Sequence, residues 1–229
     1  MKQTLAFLLC LVMGLSLSAQ TVKPQDAIFE DYIPLLQKSG YQAYSFDISD
    51  FLNETYLITF KIKEYTDSTD VKELDSGFTV PNRMMLNDFS ESFQKRILAD
   101  GTAFDAEKGI YTQSDKMLVG FYPSGTDSLK VAYLSLEGQG VRTMGLSLKP
   151  LKLPGNDTSM YYYHTRPFKV SSFEEGKFIP LVLLGSMWVD HQWGFLRFCG
   201  ENEIDHEMSS TILKYLPHYY VIGVEIKKK

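Results

Sequence analysis

The chain has 229 residues, of which 44% are hydrophobic and 22% are charged, and its formal net charge is −5. This acidic balance argues against a nucleic-acid partner, because the phosphate backbone attracts clustered Lys and Arg. The chain has only two cysteines, which excludes a disulfide-stapled scaffold. Its stability must therefore come from a buried hydrophobic core.

The N-terminus has the pattern of a signal peptide. Lys2 is followed by an apolar run, Leu5–Leu15, and then by small residues up to Ala19. The run is shorter than the ~20 apolar residues that a transmembrane helix needs, and a buried core helix is the alternative. We predict a signal peptide over residues 1–19 and cleavage before Gln20. The mature protein would then be periplasmic or extracellular, with no transmembrane segment.

Cleavage at this site would leave Cys199 as the single cysteine of the mature chain. No internal disulfide could then form. The neighbouring residues Phe195, Leu196 and Phe198 are apolar, and a free cysteine behaves as a small hydrophobic residue. We therefore expect a buried thiol.

Residues 20–101 mix helical and strand patterns. Apolar side chains at helical spacing predict a short helix over residues 29–36. Alternation over residues 56–63 predicts a half-buried strand. The acidic, Ser/Thr-rich segment Asp67–Gly77 predicts a mobile loop. A second short helix is predicted from the apolar stripe in residues 86–97, ending near Gly101.

The middle of the chain predicts three strands, over residues 117–122, 129–136 and 144–151. Pro, Ser, Gly, Thr and Asp at residues 123–127 predict a hairpin turn between the first two. Prolines and a glycine near residues 150–158 mark a candidate boundary. We favour one domain, because a small C-terminal unit without disulfides would be only marginally stable alone.

The C-terminal part is rich in aromatic and apolar residues. Strands are predicted over residues 161–164, 178–189 and 193–198, with a turn at residues 190–192. Met208, Ile212 and Leu216 indicate a short helix that stops at Pro217. The final strand places Tyr220, Ile222, Val224 and Ile226 on one face.

These elements predict a mainly β fold, resembling a β-sandwich with two or three short helices, and an α+β fold is the alternative. The predicted organisation is a signal peptide over residues 1–19 and one β-rich domain over residues 20–229. A subdivision near residues 150–158 remains the alternative to a continuous domain.

Four segments of the chain resemble a family of uncharacterised exported proteins from Bacteroides-type gut bacteria, known as a domain of unknown function. The segments are AFDAEKGIY at 103–111, EEGKFIPL at 174–181, RFCGENEI at 197–204 and PHYYVIG at 217–223. The resemblance implies export and one continuous domain over most of the mature chain. It brings no known activity, and so no catalytic residues.

Aromatic residues of the C-terminal half form the main candidate binding site. Such rings can form a flat platform for a sugar or peptide, with polar neighbours that fix its orientation. The alternative is that the rings fill the core. Three tyrosines in succession cannot all face one side of a strand. The candidate binding residues are Tyr161, Tyr163, His164, Arg166, Trp188, Asp190 and Trp193.

An acidic cluster gives the competing hypothesis. Its members are Glu201, Glu203, Asp205, His206 and Glu207. Carboxylates and imidazole can hold a divalent ion that activates water, but the spacing matches no H-E-x-x-H or calcium-loop motif. A solvated connection, with Asp205 capping the next helix, is the structural alternative. We therefore predict no catalytic residue, metal ligand or cofactor.

The absence of a catalytic motif favours a non-enzymatic cell-envelope module with a binding or structural role. A glycan or another envelope protein would be its partner. The competing hypothesis is a metal-dependent or carboxylate hydrolase centred on residues 190–207.

Overall fold

A computed structural model describes residues 26–66, 70–152, 159–169, 174–190, 192–197 and 202–229. For residues 75–77 and 159 it describes the backbone only. The chain divides into two units, Met1–Leu35 and Leu36–Lys229. In the first unit, Asp31 accepts a hydrogen bond from the backbone N–H of Ile28 at 3.0 Å, which fixes the start of the first helix.

The described residues form two α-helices, three short 3₁₀ helices and sixteen strands. The helices are α1 (Phe29–Lys38), η1 (Ser49–Phe51), η2 (Leu86–Asp88), α2 (Glu91–Asp100) and η3 (Thr211–Lys214). The strands are β1 (Gln42–Asp47), β2 (Tyr56–Thr66), β3 (Asp70–Pro81), β4 (Arg83–Met85), β5 (Ile110–Gln113), β6 (Lys116–Pro123), β7 (Leu129–Leu136), β8 (Gly140–Ser147), β9 (Leu151–Lys152), β10 (Ser159–Met160), β11 (Tyr163–Lys169), β12 (Phe178–Ser186), β13 (Trp188–Asp190), β14 (Phe195–Arg197), β15 (Ile204–Asp205) and β16 (His218–Lys228).

Two sheets dominate the unit Leu36–Lys229. One has six strands in the order β15-β11-β12-β16-β2-β3, and the other has four in the order β1-β6-β7-β8. The pairs within them are antiparallel except β11 with β15, which run parallel. Three two-stranded ribbons, β9 with β10, β13 with β14 and β4 with β5, complete the described pairing.

The main core lies between the two large sheets. Ile58, Phe60 and Ile62 of β2 are fully buried, and the intervening residues are only partly buried. They belong to one cluster with buried residues of β6, β7, β8, β12 and β16. Residues at period two point to one face of a strand, so each sheet contributes its apolar face. The predicted mainly β, sandwich-like fold is confirmed.

A second core lies on the opposite face of the six-stranded sheet. Here Ile212 and Leu213 of η3 pack with Leu216 and with Tyr219 and Val221 of β16. The alternate residues Tyr220 and Ile222 of the same strand belong to the main core. The centre of β16 is therefore buried on both faces, which explains its nearly continuous apolar sequence.

The loop predicted for Asp67–Gly77 is wrong from Asp70 onward, where β3 begins and pairs with β2 along its length. Polar residues suit this position because β3 is an edge strand, where charges discourage pairing with other chains. Cross-strand contacts also stabilise it, including a salt bridge between Lys61 and Glu73 at 3.0 Å.

Three other predicted elements change their bounds. The strand predicted over 144–151 is β8 (Gly140–Ser147), and the aromatic strand predicted over 161–164 begins at Tyr163 and continues to Lys169. The predicted helix over 208–216 is the short 3₁₀ helix η3. β8 ends where its pairing with the neighbouring strand β7 ends, and β11 extends to Lys169 because it pairs with β12 and then with β15.

Several predictions fall outside the described residues. These are the signal peptide and its cleavage site, Cys199, most of the boundary region near 150–158, and Glu201 of the acidic cluster. None of the helices in the described part of the chain has the length and apolar character that crossing a bilayer requires.

Candidate functional site

A pocket of about 510 Å³ lies where residues of β6, β7 and β11 and their connecting turns meet. Lys130 and Pro123 face each other across the antiparallel pair β6–β7, and Leu148 follows β8. On the opposite side, the segment that leads into β11 supplies three consecutive tyrosines. The lining residues are Pro123, Thr126, Asp127, Leu129, Lys130, Leu148, Met160, Tyr161, Tyr162 and Tyr163.

The three tyrosines are held differently. Tyr161 and Tyr162 precede β11, and Tyr162 keeps 38% of its surface exposed. Tyr163 is the first residue of β11 and packs against the main core. The pocket thus combines two rings that precede the strand, the half-buried Tyr161 and the exposed Tyr162, with the anchored ring of Tyr163, as expected because successive residues cannot share one face.

The hydroxyl of Tyr163 takes part in a buried polar network. It accepts a hydrogen bond from the backbone N–H of Lys149 at 3.0 Å and makes a short contact with Nδ1 of His218. Burial, together with the negative charge of Glu64, raises the pKa of Tyr163 to about 12. The phenol is therefore protonated at neutral pH and can donate a hydrogen bond to His218.

His218 connects this phenol to a carboxylate. It is 1% exposed, and its Nε2 lies 2.9 Å from Oε1 of Glu64. Burial lowers the pKa of His218 although Glu64 opposes the shift. A neutral ring with its proton on Nε2 donates to Glu64 and accepts from Tyr163, so this tautomer satisfies both partners.

Tyr220 completes the network and joins it to the other sheet. Its hydroxyl lies 2.8 Å from the carbonyl oxygen of Ser147 in β8 and 3.2 Å from Oε1 of Glu64. Burial raises the pKa of Glu64, but the hydrogen bonds from His218 and Tyr220 outweigh it and hold this pKa below its ordinary value. The network therefore fixes Tyr163 against both sheets of the sandwich.

Lys130 places a positive charge in the pocket wall. Its Nζ donates a hydrogen bond to the carbonyl oxygen of Gly40 at 3.1 Å. Lys130 is two residues before Ala132, which is fully buried in the main core. Since residues two apart share a face of the strand, Lys130 projects towards the interior of the sandwich. Burial lowers the pKa of this ammonium group.

Trp188, Asp190 and Trp193 lie in the β13–β14 hairpin. Trp188 packs against the second core and stacks on Tyr215, with 5.9 Å between ring centroids. Asp190 forms a salt bridge with Arg197 at 2.5 Å and accepts the backbone N–H groups of Gln192 and Trp193. Trp193 is 63% exposed. Asp190 thus shapes the turn, and the hairpin presents Trp193 to solvent.

His164 and Arg166 face away from the pocket. Both lie on the same face of β11 as Phe168, which packs in the second core. Tyr163 lies on the opposite face of the strand and packs against the main core. Arg166 is 6% exposed, and His164 is exposed. Of the seven predicted binding residues, the structure brings Tyr161 and Tyr163 together in the pocket. It places His164, Arg166 and Trp188 on the other face of the sheet.

A family model, Domain of unknown function (DUF5041), matches residues 12–228. The chain belongs to this family. The match spans nearly the whole chain, which confirms the predicted resemblance to a domain of unknown function. No curated protein and no solved structure matches the chain.

The acidic cluster is engaged in local structure where it is described. Asp205 accepts a hydrogen bond from Ser209 at 2.9 Å, and its other oxygen lies 3.2 Å from Nδ1 of His206. Within the described residues there is no group of three or more His, Cys, Asp or Glu side chains that could hold a metal ion.

Lys130, Glu64 and His218 were not predicted as site residues. His218 opens an otherwise apolar run, and Glu64 follows an alternating strand. A polar residue in such a context is a signal of a buried hydrogen-bonded group. Their contact joins residues 154 positions apart, so the sequence could flag each residue but not the pair.

Proposed function

We propose that the protein is an exported cell-envelope binding module of a Bacteroides-type bacterium, and that its pocket binds a sugar. The observation that carries this proposal is the convergence of Tyr161, Tyr162 and Tyr163 on one pocket with the polar side chains of Asp127 and Lys130. A platform of aromatic rings with a few oriented polar groups is the usual chemistry of a small-ligand site.

The size of the pocket supports a small saccharide. Its volume of about 510 Å³ lies within the roughly 300–1,000 Å³ typical of small-molecule sites. Tyrosine rings offer flat apolar faces to the C–H side of a sugar, while carboxylate, ammonium and hydroxyl groups bond its hydroxyls. A purely apolar ligand would leave Asp127 and Lys130 without a role.

The wall of the pocket is preorganised. Tyr163 is held by the backbone of Lys149 and by His218, so binding would order few additional groups at this position. Immobilising a side chain on binding costs about 0.5–1.5 kcal/mol, and a ring that is already fixed avoids that cost. Tyr161 and Tyr162, outside the strand, would adapt to the ligand.

The binding test begins with a glycan array of the mature chain, followed by calorimetry on each sugar that binds. Replacing both rim rings (Tyr161→Ala with Tyr162→Ala) should weaken binding by about tenfold or more, because each ring contributes on the order of 0.5–1.5 kcal/mol beyond its buried area. Trp193→Ala is the matched control, since it removes an exposed ring that does not line the pocket. If no sugar on the array binds, the pocket is not a sugar site. The same conclusion follows if Trp193→Ala weakens binding while the double tyrosine variant does not.

Export rests on the N-terminal pattern of Lys2, the apolar run and the small residues up to Ala19. We expect the protein recovered from the envelope fraction of a Bacteroides-type host to begin at Gln20. N-terminal sequencing and intact mass measure this directly. A cytosolic protein that retains Met1 through Ala19 would contradict it.

A further inference from the structure

We infer that the sugar bound by the pocket is anionic, and that its carboxylate or sulfate group pairs with Lys130. This inference rests on the proposed sugar-binding function and adds the chemical class of the ligand. It follows from where the ammonium group lies and from which groups surround it.

Among the residues that the structure describes, the Lys130 ammonium in the pocket wall has no carboxylate partner. Its Nζ bonds the Gly40 carbonyl oxygen at 3.1 Å, which is a neutral partner. Across the described part of the chain, no carboxylate lies within 4.0 Å of this ammonium. Burial lowers its pKa, and no acidic neighbour raises it. Charges withdrawn from water are normally paired, so the pocket offers a site for an anion.

Asp127, which also lines the pocket, does not compensate this charge. It lies in the exposed turn between β6 and β7 and forms no ion pair with Lys130. The exposed Asp127 carboxylate accepts hydrogen bonds from sugar hydroxyls, while the ammonium of the partly buried Lys130 attracts the anionic substituent. The pocket would therefore bind an acidic sugar in one orientation, with its charged group at Lys130.

Pairs of sugars that differ at one position test this class. Glucuronate is compared with glucose, galacturonate with galactose, and galactose 6-sulfate with galactose, each by calorimetry with the mature chain. We expect the charged member to bind about tenfold more tightly or better, since charge-assisted hydrogen bonds are roughly twice as strong as neutral ones. Comparing the affinities for the uronates with the affinity for the sulfated sugar shows whether the pocket prefers a carboxylate or a sulfate group. The preference should shrink as salt is raised from low to physiological concentration.

Variants at Lys130 assign the preference to this residue. Lys130→Gln should reduce the preference for the charged sugar to about threefold or less. Lys130→Arg should retain most of this preference, because arginine keeps the positive charge. Lys214→Gln is the matched control, since Lys214 is exposed and does not line the pocket. Circular dichroism confirms that each variant is folded.

The outcomes separate the two proposals. If neutral and charged sugars bind equally well, the anionic class is wrong and sugar binding stands. If charged sugars are preferred and Lys130→Gln leaves the preference unchanged, the assignment to Lys130 is overturned. If no sugar binds at all, the proposed function itself fails.

Discussion

Gly223 lies in the centre of β16, opposite Pro180 of β12 and Lys61 of β2. A Cβ at this position would overlap the carbonyl oxygen of Ile179 and lie 2.6 Å from Cζ of Phe178. The neighbouring strand bulges between Pro180 and Val182, where proline cannot donate to the ladder. The close approach of that backbone requires a residue without a side chain.

Gly223→Ala should therefore destabilise the protein by about 3 kcal/mol, the upper part of the range for overpacking a core. Gly120→Ala is the matched control in β6, because the nearest atoms to its Cβ are at an ordinary 3.5 Å, and it should change stability by no more than about 1 kcal/mol. Urea unfolding followed by circular dichroism measures both. Equal midpoints for the two variants would show that β12 can move away from β16.

At the scale of elements, hairpins with local signals were predicted well. The strand predicted over 129–136 is β7, and its partner β6 is joined to it through the predicted turn. The hairpin predicted around residues 190–192 also forms, with Trp188 of β13 opposite Arg197 of β14, but the run predicted as one strand over 178–189 divides into β12 and β13. The turn residues and the alternating apolar residues of a hairpin are adjacent in sequence. Such a hairpin can therefore be predicted without knowing any distant part of the chain.

Elements that depend on a distant partner were predicted poorly. The polar segment from Asp70 becomes β3 because β2 offers a free edge. The strand β15 pairs in parallel with β11, with Ile204 beside Phe168. Parallel pairing needs a long connection, and nothing in the local sequence identifies the partner.

The candidate site shows the same division. Tyr161 and Tyr163 were predicted to bind a ligand, and the structure places both, together with Tyr162, around one pocket. The hypothesis of a single platform extended to Trp188, whose ring lies in the second core. This separation depends on how β11 and the β13–β14 hairpin are placed around the six-stranded sheet, which the sequence did not define.

At the scale of the whole molecule, the polar network ties the two sheets together. Glu64 and His218 belong to the six-stranded sheet, while Ser147 and Lys149 belong to or follow β8 of the other. A satisfied buried network specifies one arrangement of a core, but it loses stability when a member changes its charge. The groups facing His218 are the carboxylate of Glu64, the phenols of Tyr163 and Tyr220, and the ammonium of Lys149.

This network predicts a pH dependence of folding. Because burial lowers the pKa of His218 in the folded protein, the unfolded chain takes up a proton first as pH falls below about 6.5. The free energy of unfolding should therefore fall from pH 6.5 downward until the lower folded pKa is passed. Glu64, whose folded pKa is also lowered, adds a further loss below about pH 4.5.

His218→Gln removes the titrating group while keeping a polar side chain. Its free energy of unfolding, measured in urea between pH 7 and pH 5, should depend less steeply on pH than that of the wild type. Desolvation of its ring and the positive charges of Arg166 and Lys130 also lower the pKa of His164. A shallower dependence of the same sign therefore remains in both proteins. Identical slopes would show that His218 does not control acid stability.

The sequence by itself determined the mainly β fold class and the turns between neighbouring strands, because side-chain period and turn chemistry are local properties. It also led to the resemblance to a domain of unknown function, and the match over residues 12–228 confirms that part of the prediction. Only the tertiary structure decided which strands share a sheet, which tyrosines share a pocket with Lys130, and that Glu64 meets His218. These contacts depend on strand register and parity between segments far apart in the chain, which local patterns do not specify.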